Sequence, residues 1–144
     1  MRVARTGSFA AAPLGTGCYT SRRCGTHFGA QHGGGFYFDL LQCDACGATA
    51  TLLHQDLGDI HLRYVKGLPS PYAVARSDMD RRIQAEYPGE PLSRAEYRAA
   101  AEATLDPCSC GGRFRYDASP RCPTCRSTSE LWERDPKAPS ALYD

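Results

Sequence analysis

Cysteines carry the most specific chemistry in this sequence of 144 residues, which contains eight of them. Six form three couplets with one or two residues between the partners: Cys43/Cys46, Cys108/Cys110 and Cys122/Cys125. A metal ion held by four thiolates needs sulfur atoms about 2.3 Å away, presented in pairs by tight turns. Gly47 and Gly111 permit the positive φ such turns use, and Pro123 restricts the third turn. We therefore predict these six cysteines as ligands of Zn²⁺.

Loop length is the first guide to which couplets share an ion. Eleven residues separate Cys110 from Cys122, whereas 61 separate Cys46 from Cys108. Closing the longer loop costs about 1.5 kcal/mol more in chain entropy. This difference favours one site made of the last two couplets, Cys108, Cys110, Cys122 and Cys125.

The couplet Cys43/Cys46 then needs partners of its own. Cys24 and His27 form a C-x-x-H couplet upstream, in which His can replace Cys, and Cys18 is a spare candidate. Equally, Cys24 and His27 can be exposed loop residues. Alternatively, Cys43/Cys46 pairs with one C-terminal couplet across the intervening chain and leaves the other free. The sequence thus predicts two metal centres, or one centre and a free thiol pair.

Short strands surround the cysteines, and helical patterns lie between them. Aromatic and β-branched residues predict strands over 36–42 and 48–54, and alternation predicts a third over 60–65. Ser77 and Ser93, each followed three residues later by an acid, predict the caps of two helices. The fold expected is therefore α+β, with small antiparallel β elements and a two-helix insertion at about 77–105.

Composition sets the expected domain limits. Residues 1–35 are rich in small residues, end in three glycines and are predicted to be a poorly ordered segment. Residues 36–133 are predicted to form a single domain. Residues 134–144 contain two prolines and are predicted to be a flexible tail.

The last two couplets resemble a known class. Cys108-Ser-Cys110-Gly-Gly and Cys122-Pro-Thr-Cys125 are similar to the two knuckles of a zinc ribbon, the rubredoxin-like class of small β domains. The resemblance covers about residues 106–133. It implies a fold type and a structural zinc ion, and it implies no particular activity.

Charge and hydropathy narrow the class of protein. The 17 basic and 16 acidic side chains leave a formal charge of +1, which argues against nucleic-acid affinity driven by bulk charge. No apolar run approaches the roughly 18 residues that cross a bilayer, and the N-terminal residues are too weakly apolar for a secretory signal. We expect a cytoplasmic protein with no membrane association, where clustered cysteines stay reduced and bind metal.

A closed four-thiolate ion cannot activate water, so the expected function lies in surfaces. The leading hypothesis is a binding or adaptor protein with structural zinc and a protein partner. In one variant of this hypothesis, the arginines beside Phe114 and Tyr116 bind nucleic acid weakly. The alternative is a thiol-redox or metal-responsive protein that uses the Cys43/Cys46 dithiol. We expect a binding protein rather than an enzyme and assign no catalytic residue; His54 and His61 are interpreted as surface residues beside Asp56 and Asp59.

Overall fold

A computed structural model describes residues 15–137, and it confirms the α+β class. The chain divides into two compact units. The first combines the described residues up to Leu52 with those from Leu105 onward, and the second spans Leu53–Thr104. The first unit is formed by chain segments on both sides of the second, and the single domain over 36–133 stays a prediction.

An outer sheet in the first unit is built from the chain's two ends. Strand β1 (Gly15–Ser21) lies between β2 (His27–His32) and β6 (Trp132–Arg134), with both neighbours antiparallel to it. Alternate residues of β2 point inward, so that Phe28 and Ala30 are buried. The rings of Phe28 and Trp132 meet edge to face with centroids 4.8 Å apart.

An inner sheet has the same strand order. Strand β3 (Phe38–Cys43) lies between β4 (Thr49–Leu53) and β5 (Phe114–Arg115). Within the first unit the two sheets are joined by Gln42 of β3, which is fully buried and donates from Nε2 to the carbonyl of Gln31 in β2 at 2.7 Å. The outer sheet thus encloses the inner one along the chain, and each consists of a hairpin followed much later by one returning strand.

The second unit is helical. It contains α1 (His54–Leu57), α2 (Asp59–Lys66), a 3₁₀ turn (Val74–Arg76), α3 (Ser77–Glu86) and α4 (Arg94–Ala103). The capping box predicted for the last helix is confirmed, because the Glu96 amide donates to the Ser93 hydroxyl and the Ser93 amide donates to the Glu96 carboxylate. The cap predicted at Ser77 is wrong, since Ser77 is the first helical residue and Arg76 precedes it without a side-chain cap.

One prediction about local structure is corrected. The strand predicted over 60–65 is helix α2, whose buried residues, His61 and Val65, are four apart and so share one helical face. The segment predicted over 1–35 to be poorly ordered contains β1 and β2, a glycine-rich hairpin that is stabilised by pairing with β6 and by burial of Phe28. Residues 1–14 and 138–144, the latter most of the predicted tail, lie outside the described residues.

Candidate metal centres

Four cysteines of the first unit converge on one point, and we call them the inner cluster: Cys43, Cys46, Cys108 and Cys110. Their sulfur atoms all lie within 4.8 Å of one another. The closest approaches are 3.4 Å between Cys43 and Cys110 and 3.6 Å between Cys46 and Cys108. A tetrahedral zinc ion with Zn–S bonds of about 2.3 Å has sulfur–sulfur edges of about 3.8 Å, whereas a disulfide bond measures about 2.05 Å. The inner cluster could therefore hold a metal ion.

Two backbone turns present the inner cluster. In turn 43–47 the amide of Gly47 donates to the carbonyl of Cys43 at 2.9 Å, and in turn 108–111 the amide of Gly111 donates to that of Cys108 at 2.8 Å. Gly47 and Gly111 have φ of +75° and +93°, which confirms the left-handed conformation predicted for them. The shorter C-x-C spacing is accommodated by a turn that closes one residue earlier.

The four thiols of the inner cluster differ in acidity. Burial raises the pKa of Cys43, and it raises the pKa of Cys46 to about 12. At Cys110, the amide of Gly112 donates to Sγ and lowers the pKa to about 7. Because a metal binds the thiolate form, occupation of the cluster must release protons, and its affinity must fall as the pH falls.

A second group of three cysteines, the outer cluster, contains Cys24, Cys122 and Cys125, whose sulfur atoms also lie within 4.8 Å of one another. Cys24 is exposed, Cys122 is fully buried, and their sulfur atoms are 3.6 Å apart. Hydrogen bonding to the Ser127 hydroxyl lowers the pKa of Cys125 to about 6. This group could hold a metal ion as well.

The structure corrects the predicted pairing of couplets. Cys108 and Cys110 lie with Cys43 and Cys46, not with Cys122 and Cys125. The physical reason is the second unit: it folds residues 53–104, most of the connection, into a compact body, so the entropy of a flexible loop does not apply. The pairing across the insert, which the sequence left open, is the one observed.

The upstream candidates separate in the structure. Cys24 joins the outer cluster, whereas Cys18 and His27 belong to neither of the groups found among the described residues. The Nδ1 atom of His27 instead hydrogen-bonds the hydroxyl of Thr20 at 3.0 Å. Cys24 was missed as a firm ligand because its turn contains only one cysteine. The sequence signal was present, since Ser21-x-x-Cys24-Gly25 matches Cys43-x-x-Cys46-Gly47 with serine in the first position.

Three of the aromatic and basic residues near the last couplets have contacts within the first unit. Phe114 is buried in the inner sheet, and the Tyr116 hydroxyl donates to Asp39 at 2.8 Å. Arg115 forms an ion pair with Asp44, with Nε 3.2 Å from Oδ2.

The interpretation of His54 and His61 as surface residues is wrong. Both are only 3% exposed, and their rings stack in the second unit with centroids 4.1 Å apart. Tyr72 packs edge-on against both rings. These histidines are interior residues, and the exposed Asp56 and Asp59 are not gathered with them into a metal-ligand group among the described residues.

Comparison with protein families gives one match, described as "Domain of unknown function (DUF8255)", over residues 17–130. The chain belongs to this family. The matched span of the DUF8255 domain includes every cysteine of both clusters. Comparison with curated proteins and with solved structures finds no match. Across residues 15–137, none of the helices has both the length and the apolar character to cross a bilayer.

Proposed function

We propose that this DUF8255 chain is a binding protein of zinc-ribbon type, in which the inner cluster holds a structural Zn²⁺ ion and the metal-stabilised unit presents a surface to a protein partner. The observation that carries the proposal is the convergence of four sulfur atoms within 4.8 Å. Four thiolates saturate a tetrahedral zinc ion and leave no position for water or substrate. The ion therefore stabilises the fold and takes no part in a reaction.

The inner sheet provides the structural reason for such an ion. Strand β5 is only two residues long, and it pairs with β3 through Gln42 and Cys43. So short a strand contributes few ladder hydrogen bonds, and the metal ion would join turn 43–47 to turn 108–111 in their place. Binding free energy at structural zinc sites contributes directly to folding.

A protein partner is favoured over nucleic acid by the exposed side chains of the first unit. Phe36 and Tyr37 are adjacent and are 38% and 54% exposed. Exposed aromatic residues are enriched in protein interfaces. Phe114, in contrast, is buried, and Arg115 is paired with Asp44. We expect Phe36 and Tyr37 to contribute to the interface.

The thiol-redox alternative is disfavoured by the environment of its dithiol. A reactive C-x-x-C pair needs a lowered thiol pKa and access to a substrate thiol. Burial raises the pKa of both Cys43 and Cys46, and each sulfur lies beside a cysteine of the facing turn. These features fit metal ligands better than a redox pair.

The metal proposal is tested by native mass spectrometry of the purified full chain under reducing conditions, with zinc counted per chain. We expect Cys46→Ser and Cys108→Ser each to remove the same ion and to lower the thermal unfolding temperature. Cys18→Ser is the matched control and should retain the full zinc content. Equal zinc content in all three variants would exclude the inner cluster as the site.

The partner proposal needs a separate measurement. We expect fluorescence anisotropy at low salt to show no tight binding of the chain to labelled single-stranded DNA or RNA. Once a partner is identified, Phe36→Ala with Tyr37→Ala should weaken its binding while the zinc content stays unchanged. Tight, salt-sensitive binding to either nucleic acid would replace the protein-partner proposal.

A further inference from the structure

The turn that carries Cys24 has the same backbone geometry as turn 43–47. In turn 21–25 the amide of Ser21 donates to the backbone carbonyl of Thr26 at 2.9 Å, and the amide of Gly25 donates to the backbone carbonyl of Ser21 at 2.8 Å. The corresponding distances in turn 43–47 are 2.8 Å and 2.9 Å. Gly25 and Gly47 have φ of +74° and +75°. Ser21 therefore occupies in its turn the position that Cys43 occupies in the other.

Side-chain distances extend this correspondence to the whole site. The hydroxyl of Ser21 lies 3.4 Å from the sulfur of Cys125, as the sulfur of Cys43 lies 3.4 Å from that of Cys110. The sulfur atoms of Cys24 and Cys122 are 3.6 Å apart in the outer cluster, and those of Cys46 and Cys108 are 3.6 Å apart in the inner cluster. The two sites thus have the same arrangement of four side chains, and Ser21 occupies the fourth position in the outer one.

The environment of Ser21 is that of a site residue rather than of a surface serine. Its side chain is 1% exposed, and its Oγ accepts hydrogen bonds from the amides of Arg23 and Cys24 at 3.2 and 3.3 Å. In turn 43–47, the sulfur of Cys43 likewise accepts from the amide of Ala45 at 3.4 Å. The backbone therefore holds the Ser21 oxygen beside the thiol of Cys125, as it holds the Cys43 sulfur beside that of Cys110.

We propose that Ser21, Cys24, Cys122 and Cys125 form a second zinc centre, in which three thiolates and one hydroxyl hold an exchangeable Zn²⁺ ion. The inference extends beyond the proposed function and does not depend on the inner ion. A neutral hydroxyl is a poorer zinc ligand than a thiolate, and three thiolates supply one negative charge fewer than four. Each site has one exposed cysteine, Cys24 or Cys110, through which a competing ligand can reach the metal, so the difference between the sites rests on the hydroxyl ligand. The outer ion is therefore released more readily than the inner one.

Loss of the outer ion should be visible in the chain's single tryptophan. Trp132 donates from its indole nitrogen to the carbonyl of Ser127 at 3.1 Å, and it packs in the core that contains Cys122 and Cys125. This outer core also contains Phe28. Release of the metal frees the turn that ends at Ser127, so the fluorescence of Trp132 reports on the outer site.

The test is release of Zn²⁺ from the zinc-loaded full chain to a chromophoric chelator, recorded together with Trp132 fluorescence. We expect two ions per chain and two phases of zinc release. The rate of the fast phase should exceed that of the slow phase by about tenfold or more, and the fluorescence change should accompany the fast phase. Ser21→Cys should slow the fast phase to the rate of the slow one. Ser21→Ala should accelerate the fast phase, and Ser70→Ala, at an exposed serine of the second unit, should change neither phase.

The outcomes separate this inference from the proposed function. Cys24→Ser, at an exposed position, should abolish the fast phase alone, and it serves if Ser21→Cys does not fold. A single zinc per chain assigned to the inner cluster, or two phases that Ser21→Cys leaves unchanged, would overturn the inference. Wild-type protein that shows the fast phase but no slow phase would instead overturn the proposal for the inner cluster.

Discussion

The Oγ atom of Ser21 lies 3.4 Å from the Sγ atom of Cys125, although 104 positions separate the two residues in the chain. This contact brings the first cysteine-bearing turn of the chain against the last one. The inner cluster repeats the relationship between the two remaining turns, within the same unit. The first unit thus contains two similar cysteine groups, one enclosed by the other along the sequence, and Ser21 stands in the outer group where Cys43 stands in the inner one.

The inner cluster depends on a glycine with no space for a side chain. A Cβ atom added to Gly112 would lie 2.5 Å from the sulfur of Cys43 and 2.8 Å from the Cβ of Ala45. We predict that Gly112→Ala displaces the Cys43 ligand and weakens zinc affinity at the inner cluster by about 10- to 100-fold. Competition with a chelator of known affinity measures the change. Ser109→Ala is the matched control, and equal affinities in the two variants would contradict the assignment of Cys43 as a ligand.

In the second unit, Tyr97 is predicted to contribute through its ring more than through its hydroxyl. The ring is 4% exposed and stacks on Tyr64 with centroids 4.2 Å apart, and the hydroxyl hydrogen-bonds Nδ1 of His61 at 3.3 Å. Tyr97→Ala should cost about 3–5 kcal/mol of unfolding free energy, because it leaves a cavity. Tyr97→Phe should cost about 1 kcal/mol, the worth of one hydrogen bond. Urea unfolding of the zinc-loaded chain, followed by circular dichroism, distinguishes them; equal costs would refute this ranking.

The capping box of α4 predicts a local dependence on pH. The amide of Ser93 donates to the Glu96 carboxylate at 2.7 Å and lowers the pKa of Glu96 from its ordinary value of 4.5. Since the folded pKa lies below the unfolded one, the cap stabilises the helix above pH 4.5 and loses this effect as the pH falls through the folded value.

A carboxyl-detected NMR titration of the folded chain should therefore give a pKa below 4.5 for Glu96. Ser93→Ala removes the hydroxyl that accepts from the Glu96 amide and should destabilise the helix by about 1 kcal/mol. A Glu96 titration that coincides with that of an exposed glutamate would show that the capping box does not persist in solution.

Much of this organisation is readable from local sequence, and the errors have a common physical cause. Couplet spacing indicated six cysteines with metal-ligand geometry, and the left-handed glycines followed from the turns they close. Their grouping depended on loop entropy, a difference of about 1.5 kcal/mol that a folded insert removes. No local pattern carries that information, because the insert acts by folding as a separate unit.

Residues 15–35 show the converse case. Their glycines and the lack of a periodic pattern suggested disorder, yet β1 is stabilised by β6 from the other end of the chain. The core of this hairpin depends on Trp132, more than 100 positions away from Phe28. For α2, period-two alternation over residues 60–65 matched a strand, while burial of His61 and Val65 followed the helical period. Tertiary packing decided each case against the local pattern.

The most direct test of the account is native mass spectrometry of the wild-type full chain, paired with circular dichroism before and after treatment with a strong chelator. The account predicts zinc bound at the inner cluster, retained in Cys18→Ser and lost from Cys108→Ser. It also predicts that the cooperative unfolding of the first unit disappears when the chelator removes this ion. A chain that is free of metal in the chelator and still unfolds cooperatively at an unchanged temperature would contradict it.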